Sequence, residues 1–304
     1  MTWLELSLTL RSDQQESVEA ALEDVGALSV TLLDADADTS DEQAILEPAV
    51  GETPLWSQVV LAALFEADTD RSGLVHVLGE LLPELEPDQI SFREVADQDW
   101  TRVWMDQFRP MQFGRRLWIY PWNIEPPTDA EAIVVRLDPG LAFGTGTHPT
   151  TALCLAELDG MALDGRCVID YGCGSGILAV AALLLGASRA LGVDNDPQAL
   201  AASRDNSARN GIDGTALALA LPGAYDRAAW AGRADVVIAN ILAGPLVELA
   251  DTLLGFLKPG GTLLLSGLLD TQAPDLCRRY ADRLELRVAG EKEGWVCLRG
   301  TLPG

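Results

Sequence analysis

The feature that most constrains the fold is a repeated alternation of short apolar runs and helical stretches, which begins near residue 130. The apolar runs lie at 168–171, 190–194, 216–220, 236–239 and 262–265, and the helical stretches at 176–185, 197–210, 245–257 and 271–284. This alternation is typical of an α/β fold in which a doubly wound parallel sheet has right-handed crossovers. Because ligands of such sheets bind beyond the carboxyl ends of the strands, we expect the functional residues at those ends.

The first hundred residues have a different pattern. Residues 3–10 alternate polar and apolar side chains, as a half-buried strand does, and Ser12 followed by Gln15 resembles a helix capping box. The predicted strands lie at 3–10, 28–33, 59–65 and 90–95, and the predicted helices at 18–25 and 72–82. The order β-α-β-β-α-β predicts a small α+β domain with a ferredoxin-like fold.

A length of 304 residues favours two domains. We predict a small domain at 1–96, a linker at 97–128 and a large α/β domain at 129–304. The linker contains seven aromatic residues, and we expect a helix at 99–107 followed by short strands. Aromatic side chains that pack a linker between domains explain this stretch better than a ligand cage does.

The charge is strongly negative and uneven. The net charge of the chain is −25. Residues 1–100 contain 23 acidic and three basic residues, so this part alone has a net charge of −20. Because nucleic-acid binding rests on cationic side chains, this balance disfavours a direct nucleic-acid partner. The acidic front could attract a basic partner. A surface adapted to solubility or to high salt explains the same charge equally well.

The cysteines, histidines and N-terminus point to a cytoplasmic protein without a structural metal. Five cysteines without a C-x-x-C pair and two histidines cannot build a Cys/His zinc cluster, and the odd number argues against a disulfide framework. The chain has no apolar run of the roughly 20 residues that cross a bilayer, and its first residues lack the features of a secretory signal. We therefore expect a cytoplasmic protein with no membrane partner.

A glycine-rich turn follows the first of the apolar runs. Gly172, Gly174 and Gly176 come directly after Tyr171 and precede a predicted helix. A dinucleotide-binding fingerprint would require glycine at Ile177, and no phosphate-binding lysine follows. The turn therefore favours a small adenosyl ligand without a diphosphate, although glycine turns of this kind also serve packing alone.

An acidic residue ends the next run. Asp194 lies 20 residues after Gly174, the spacing at which a carboxylate accepts hydrogen bonds from ribose hydroxyls. The alternative role is a helix N-cap, but Asp196 followed by Pro197 is the better cap. We therefore predict that Asp194 binds a ribose.

Two further segments complete a resemblance to a known family. They are the glycine-rich stretch 137–151, with sequence LDPGLAFGTGTHPTT, and the stretch 240–243, with sequence NILA. Together with 170–178 and 194–197 they resemble the PrmA family, the S-adenosylmethionine-dependent methyltransferases of ribosomal protein L11. The resemblance covers essentially the whole chain, and it implies a Rossmann-like class I methyltransferase domain behind a domain that recognises the ribosomal protein, free or in the ribosome.

The resemblance also implies roles for individual residues. The positions matching Thr151 and Gly172 contact S-adenosylmethionine, that matching Asp194 binds its ribose, and that matching Asn240 lies at the methyl-transfer centre. Phe143 and Gly146 belong to a loop that closes over the methionine end. The glycine turn adds Gly174, and for Asp170 two roles stay open, namely balancing the methionine ammonium or satisfying a strand-end turn. The segment 221–231 is hard to align with the family.

The chemistry implied is methyl transfer to the N-terminal α-amine and lysine ε-amines of ribosomal protein L11. Such a nucleophile must be neutral, and deprotonating a lysine at pH 7 costs roughly 4–5 kcal/mol. Asn240 with its backbone carbonyl could orient the amine without a dedicated base or metal. His148 is predicted to order a loop and Cys173 to pack. Three alternatives are methylation of another protein or a small amine, a non-catalytic binding module, and, most distantly, a dehydrogenase.

Overall fold

The computed structural model describes residues 2–37, 55–83, 85, 89–96, 109–126, 131–138 and 146–304. The chain divides into two compact units, Met1–Asp99 and Trp100–Gly304. Among the described residues, none of the helices combines the length and the apolarity that a membrane crossing requires.

The first unit contains an antiparallel sheet of four strands in the order β2-β3-β1-β4. Its elements are β1 (Thr2–Arg11), a 3-10 turn (Ser12–Gln14), α1 (Gln15–Asp24), β2 (Ser29–Asp34), β3 (Gln58–Glu66), α2 (Arg71–Leu81) and β4 (Ile90–Ala96). These elements follow one another in the predicted order β-α-β-β-α-β.

The alternation along β1 builds the core of this unit. Leu4, Leu6, Leu8 and Leu10 are at most 2% exposed and belong to one apolar cluster with residues of α1, β3 and α2. The predicted capping box is displaced by one residue, since the backbone N–H of Arg11, and not of Ser12, donates to a glutamine side chain, that of Gln14. The 3-10 turn that precedes α1 accounts for this shift.

The second unit contains a sheet of seven strands in the order β10-β9-β8-β11-β12-β14-β13. Its strands are β5 (Met111–Phe113), β6 (Leu117–Pro121), β7 (Ile133–Leu137), β8 (Cys167–Tyr171), β9 (Arg189–Val193), β10 (Leu217–Ala220), β11 (Ala234–Asn240), β12 (Leu257–Leu269), β13 (Arg287–Lys292) and β14 (Trp295–Thr301). Its helices are α3 (Pro149–Asp159), α4 (Ile177–Leu184), α5 (Pro197–Arg209), α6 (Arg227–Trp230), α7 (Ala243–Glu248), α8 (Ala250–Phe256) and α9 (Ala273–Tyr280), with a 3-10 turn at Asp270–Gln272.

The five strands β8 to β12 pair in parallel, which confirms the predicted doubly wound sheet. Along β11, Val236 and Ile238 face one apolar cluster and Val237 and Ala239 face the other, so both surfaces of the sheet are covered. Strands buried on both faces are continuous apolar runs, which explains why the sequence shows them so clearly. The strand order reverses between β8 and β11, and this switch point is where ligands of such sheets bind.

The carboxyl-terminal part differs from the prediction in three ways. Strands β13 and β14 were not predicted; β14 pairs antiparallel with β12, and β13 pairs antiparallel with β14. The single helix predicted at 245–257 is divided at Leu249 into α7 and α8. The helix predicted at 271–284 is a 3-10 turn followed by α9.

The described part of the predicted aromatic linker lies in the second unit. Strands β5 and β6 form a three-stranded sheet with β7. Phe113, Leu117 and Ile119 are buried in the same apolar cluster as residues of α3 and α4. The predicted linker helix at 99–107 lies outside the described residues.

Candidate active site

A cavity of about 570 Å³ opens at the carboxyl ends of β8, β9 and β11. This volume is in the range of pockets that bind small molecules. Its walls are mostly apolar, and Asp194 is the acidic residue among the described residues that line it. The lining residues are His148, Thr150, Tyr171, Gly172, Gly174, Val193, Asp194, Asn195, Pro222, Asn240, Ile241, Leu242, Pro245, Leu249, Gly267 and Trp295.

The glycine turn forms the floor of this cavity. Gly172 and Gly176 have φ angles of +82° and +78°, which side chains other than glycine rarely adopt. A Cβ on Gly172 would collide with Ile241, and one on Gly176 would lie 2.8 Å from the hydroxyl of Ser203. The turn therefore lets a ligand and two neighbouring side chains approach its backbone closely.

The N–H groups of the three glycines in this turn are already engaged within the protein. Gly172 donates to the carbonyl of Val193, Gly174 donates to Asp194, and Gly176 donates to the carbonyl of Cys173. A diphosphate site would need such N–H groups to point at the ligand. The turn thus provides a close backbone surface rather than an anion cradle, in line with the predicted adenosyl ligand.

Asp194 follows β9 and extends from the cavity wall. Its Oδ2 accepts the N–H of Gly174 at 2.8 Å, and its Oδ1 accepts the N–H of Asp196 at 3.0 Å. Asp196 itself caps α5 by accepting the N–H of Gln198 at 2.8 Å, so Asp194 is not needed as the cap. Each carboxylate oxygen keeps a lone pair that can accept a further hydrogen bond from a ligand hydroxyl.

Asn240 ends β11 at the opposite wall of the cavity. Its Nδ2 donates to the hydroxyl of Thr151, at 3.2 Å, and Thr151 is only 1% exposed within α3. This bond fixes the orientation of the carboxamide. Its Oδ1 accepts no hydrogen bond from any described residue, so this atom is free to accept one from a ligand.

His148 and Trp295 form an aromatic pair in the cavity wall. Their ring centroids are 4.9 Å apart in an edge-to-face arrangement. The Nδ1 of His148 accepts the N–H of Thr150 and lies 2.7 Å from its hydroxyl, so His148 caps α3. The predicted role in ordering the preceding loop stays a prediction, since residues 139–145 of that loop lie outside the described residues. Burial lowers the pKa of His148, and the negative charge of Glu293 opposes this shift with a smaller effect. The lowered pKa favours the neutral ring at pH 7.

Asp170 lies beneath the cavity rather than in its wall. Its side chain is fully buried, Oδ2 accepts the N–H of Ala179 at 3.1 Å, and Oδ1 has no hydrogen-bond partner among the described residues. Burial raises the pKa of Asp170 to about 7; the Asp194 charge adds to this shift, and the Ala179 bond opposes it. Asp170 therefore binds the first turn of α4, and each of the two roles that the sequence left open for it stays a prediction.

The cavity thus joins four of the eight predicted site residues, namely Gly172, Gly174, Asp194 and Asn240. Thr151 lies directly behind Asn240. Gly146 lies beside Ile177 and residues of β5, away from the cavity lining. Phe143 lies outside the described residues.

Sequence reasoning missed several of the other lining residues. Trp295 is the largest of these, and it begins a strand that was not predicted. Ile241 and Leu242 belong to the stretch 240–243 that carries the family resemblance, but the resemblance predicts no role for either. The apolar character of this segment at the end of a strand was the available signal.

Comparison with known proteins decides the family. A family model described as ribosomal protein L11 methyltransferase (PrmA) matches residues 2–303. The chain belongs to the PrmA family. A ribosomal protein L11 methyltransferase of Pseudomonas paraeruginosa is 54% identical over 301 residues, which cover 99% of this chain and 98% of the relative. One of Xanthomonas axonopodis pv. citri is 52% identical over 311 residues and covers both chains fully.

A solved structure supports the same assignment within the PrmA family. The ribosomal protein L11 methylase of Lactobacillus delbrueckii subsp. bulgaricus matches with a TM-score of 0.57 and 32% identity, covering 65% of this chain and all of that chain. The class I methyltransferase fold expected from the sequence is therefore confirmed for the second unit.

The cavity fits the adenosyl donor that PrmA enzymes are expected to use. Asp194 can accept two ribose hydroxyls, and apolar side chains such as Val193 and Pro222 offer surface to a flat ring. The turn at Gly172 admits close approach without N–H groups for a diphosphate. These features suit S-adenosylmethionine better than a dinucleotide.

Proposed function

We propose that the chain transfers methyl groups from S-adenosylmethionine to amino groups of ribosomal protein L11, including its N-terminal α-amine and lysine ε-amines. The observation that carries the proposal is the meeting of Asp194, the glycine turn and Asn240 in one cavity of a chain that belongs to the PrmA family. The family supplies the substrate class, and the cavity supplies the groups that this reaction requires.

Binding of the donor rests on the side of the cavity formed by β8 and β9. The Asp194 carboxylate, held by the N–H groups of Gly174 and Asp196, accepts hydrogen bonds from the ribose hydroxyls. Because both backbone bonds fix its orientation before the ligand arrives, little conformational entropy is lost on binding. Gly172 keeps the backbone close to the donor without a side chain in between.

When bound, the donor supplies an electrophilic methyl carbon on a sulfonium. Asn240 lies where an incoming amine must be oriented, and its Oδ1 accepts a hydrogen bond from the amine N–H. This bond aims the nitrogen lone pair, and the Thr151 hydroxyl keeps the carboxamide from rotating. Orientation of this kind converts an encounter between two reactants into an aligned displacement.

The cavity walls favour a neutral amine. Ile241, Leu242, Pro245 and Leu249 line the same cavity as Asn240, and none of them can stabilise a cation. Desolvation in such surroundings lowers the pKa of an amine and so increases its nucleophilic fraction. The chemistry then needs no dedicated base, since the proton is lost to solvent before the amine is buried.

The first unit is proposed to recognise the ribosomal protein, whether free or assembled. Residues 1–100 carry a net charge of −20, which attracts a basic partner over a distance of about 10 Å at ordinary ionic strength. Exposed acidic residues on α1, such as Glu16, Glu23 and Asp24, contribute to this field. Neither membrane nor nucleic acid is required in this scheme.

The test combines a binding and a transfer measurement. Calorimetry of the full chain with S-adenosylmethionine, with its demethylated product and with a reduced nicotinamide dinucleotide should show binding of the first two alone. Incubation with radiolabelled donor and separated ribosomal proteins should label ribosomal protein L11. Binding of the nicotinamide compound alone would refute the proposal, and labelling of another protein would refute its substrate.

A further inference from the structure

The inner face of α5 carries buried polar side chains that the mechanism above does not use. Ser203 and Asn206 are spaced by three residues and therefore lie along one side of the helix, and the half-buried Asn210, which directly follows the helix, continues that side. Ser203 is fully buried and Asn206 is 1% exposed. Buried polar groups at such positions are costly unless every bond they can make is made.

Two of these side chains hold the glycine turn. The hydroxyl of Ser203 donates to the carbonyl of Gly174 at 2.9 Å, and Nδ2 of Asn206 donates to the carbonyl of Ser175 at 2.9 Å. Both acceptors lie within the turn that forms the floor of the cavity. The turn is therefore fixed from below by α5 at two consecutive residues.

The same carboxamide of Asn206 also reaches a second segment. Its Oδ1 accepts the backbone N–H of Asp138, just after β7, at 3.1 Å. Arg209 reinforces this contact by donating to the carboxylate of Asp138 at 2.8 Å. One side chain thus connects the glycine turn with the end of a strand from another sheet.

Asn210, which directly follows α5 and is half-buried, provides an internal comparison because it binds β7 and not the glycine turn. Its Oδ1 accepts the N–H of Arg136 and its Nδ2 donates to the carbonyl of Arg136, both at 2.7 Å. Its Nδ2 also donates to the carbonyl of Asn206 at 2.7 Å, so Asn210 makes three hydrogen bonds to backbone atoms and Asn206 makes two. The two residues are of the same type and both bind the end of β7 or the residue after it, but only Asn206 reaches the turn.

The position of the turn sets the position of the ribose-binding carboxylate. The N–H of Gly174 donates to Asp194, so a displacement of the turn moves or frees that side chain. We propose that Asn206 and Ser203 are positioning residues that hold the glycine turn in the shape that binds the donor. The inference rests on the proposed function and deepens it, since it assigns donor affinity to a helix face outside the cavity.

The test compares two matched substitutions in the full chain. Asn206→Asp keeps the acceptor for Asp138 but places an oxygen against the carbonyl of Ser175, and Asn210→Asp makes the same change at the carbonyls of Arg136 and Asn206. We expect about tenfold weaker binding of S-adenosylmethionine by Asn206→Asp and a change below about twofold for Asn210→Asp. In steady-state kinetics the KM for the donor should rise in Asn206→Asp, while kcat at saturating donor stays within about threefold.

A purely structural role would give another result. It would lower the folded fraction, and hence kcat, in both variants and leave the KM for the donor unchanged, which would overturn the assignment. If Asn206→Asp does not fold, Ser203→Ala removes the bond to Gly174 and the contact with the thiol of Cys173, both within the turn, and should still weaken donor binding about threefold; unchanged binding would again overturn it. Failure of the unaltered chain to bind the donor would refute the proposed function itself, and the positioning role with it.

Discussion

The acidic residues at the two ends of the central sheet differ in the partners that bind their carboxylates. At the amino end of β11, Asp235 accepts hydrogen bonds from Arg166 at 2.7 Å and from the N–H of Cys167 at 3.0 Å, and it forms an ion pair with Lys258 at 2.5 Å. At the carboxyl end, Asp194 has no ion pair with any described residue and accepts backbone N–H groups alone.

The pKa shifts follow the same division. Burial would raise the pKa of Asp235, but the bonds from Lys258, Cys167 and Arg166 outweigh it and hold the pKa below its usual range. Burial raises the pKa of Asp170 to about 7, since its one hydrogen bond does not compensate for desolvation. The amino end thus balances its carboxylate with two cations, whereas the described residues at the carboxyl end offer Asp170 and Asp194 backbone N–H groups alone.

The largest effect is expected where a polar group is left open for the reacting amine. Asn240→Ala removes the carboxamide that aims the lone pair, so kcat should fall on the order of 10² to 10³-fold. Binding of S-adenosylmethionine should change by less than about threefold, because Asp194 and the glycine turn remain. Single-turnover kinetics together with calorimetry separate the two quantities.

A control for this prediction lies behind the same carboxamide. Thr151→Val keeps the volume and removes the hydroxyl that accepts the bond from Asn240, so a smaller loss of kcat, about tenfold, is expected. A chain whose kcat is unaffected by Asn240→Ala would be a binding module or would use other residues for transfer.

The second prediction concerns stability at the carboxyl end. In the folded chain Asp170 keeps its proton up to about pH 7, while in the unfolded chain it loses the proton near pH 4. Unfolding between these values therefore releases a proton, and stability falls as the pH rises. Asp170→Asn has no such proton. Its free energy of unfolding, relative to that of the unaltered chain, should therefore rise by up to about 1.4 kcal/mol per pH unit from pH 5 to 7.

Urea unfolding of both chains at several pH values measures this difference directly. The difference should level off above about pH 7, where Asp170 is ionised in both states. A difference that stays constant from pH 5 to 8 would mean that the folded chain holds Asp170 ionised, and the contrast with the amino end would disappear.

The sequence was sufficient for the parts of the fold where local pattern and burial agree. The parallel strands are apolar because both their faces are covered, and the glycine turn and Asp194 follow from the spacing that a strand-turn-helix unit imposes. These signals located one side of the cavity. The same local reasoning also explained why Asp196, and not Asp194, caps α5.

The rest depends on contacts between distant segments. Strand β13 lies at the edge of the sheet and is mostly exposed, so its sequence, Arg287–Lys292, shows no apolar run. The contact between Trp295 on β14 and His148 could not be predicted either, because the two residues are far apart in the sequence. The hydrogen bonds of Asn206 could likewise not be predicted from the sequence, because its partners are the backbone carbonyl of Ser175 and the backbone N–H of Asp138. Nearly every residue has the same backbone N–H and carbonyl groups, so the residue types do not indicate which of them a side chain binds.

The third prediction tests whether the charge of Asp194 serves the ligand. Asp194→Asn keeps an acceptor near its present place but removes the negative charge, so binding of S-adenosylmethionine should weaken about tenfold, as expected for loss of charge-assisted hydrogen bonds. Asp196→Asn is the matched control, since it also removes one charge two residues away and should alter binding by less than about twofold. Equal losses in both variants would indicate a general charge effect instead of a ribose contact.

The smallest effect is expected at the amino end, where Asp235→Asn removes a charge that the protein already satisfies. Because the partners Arg166 and Lys258 are about half exposed, the cost should be about 1 kcal/mol of unfolding free energy, less at high salt, with no change in donor binding. The pKa of Asp235 is lowered, so this stability is present above about pH 4 and is lost as the pH falls through its folded pKa. The difference between the two chains should thus be constant from pH 5 to 8 and shrink in acid, opposite to the profile of Asp170→Asn. A change in donor affinity at this distance from the cavity would show that the two ends of the sheet are not independent.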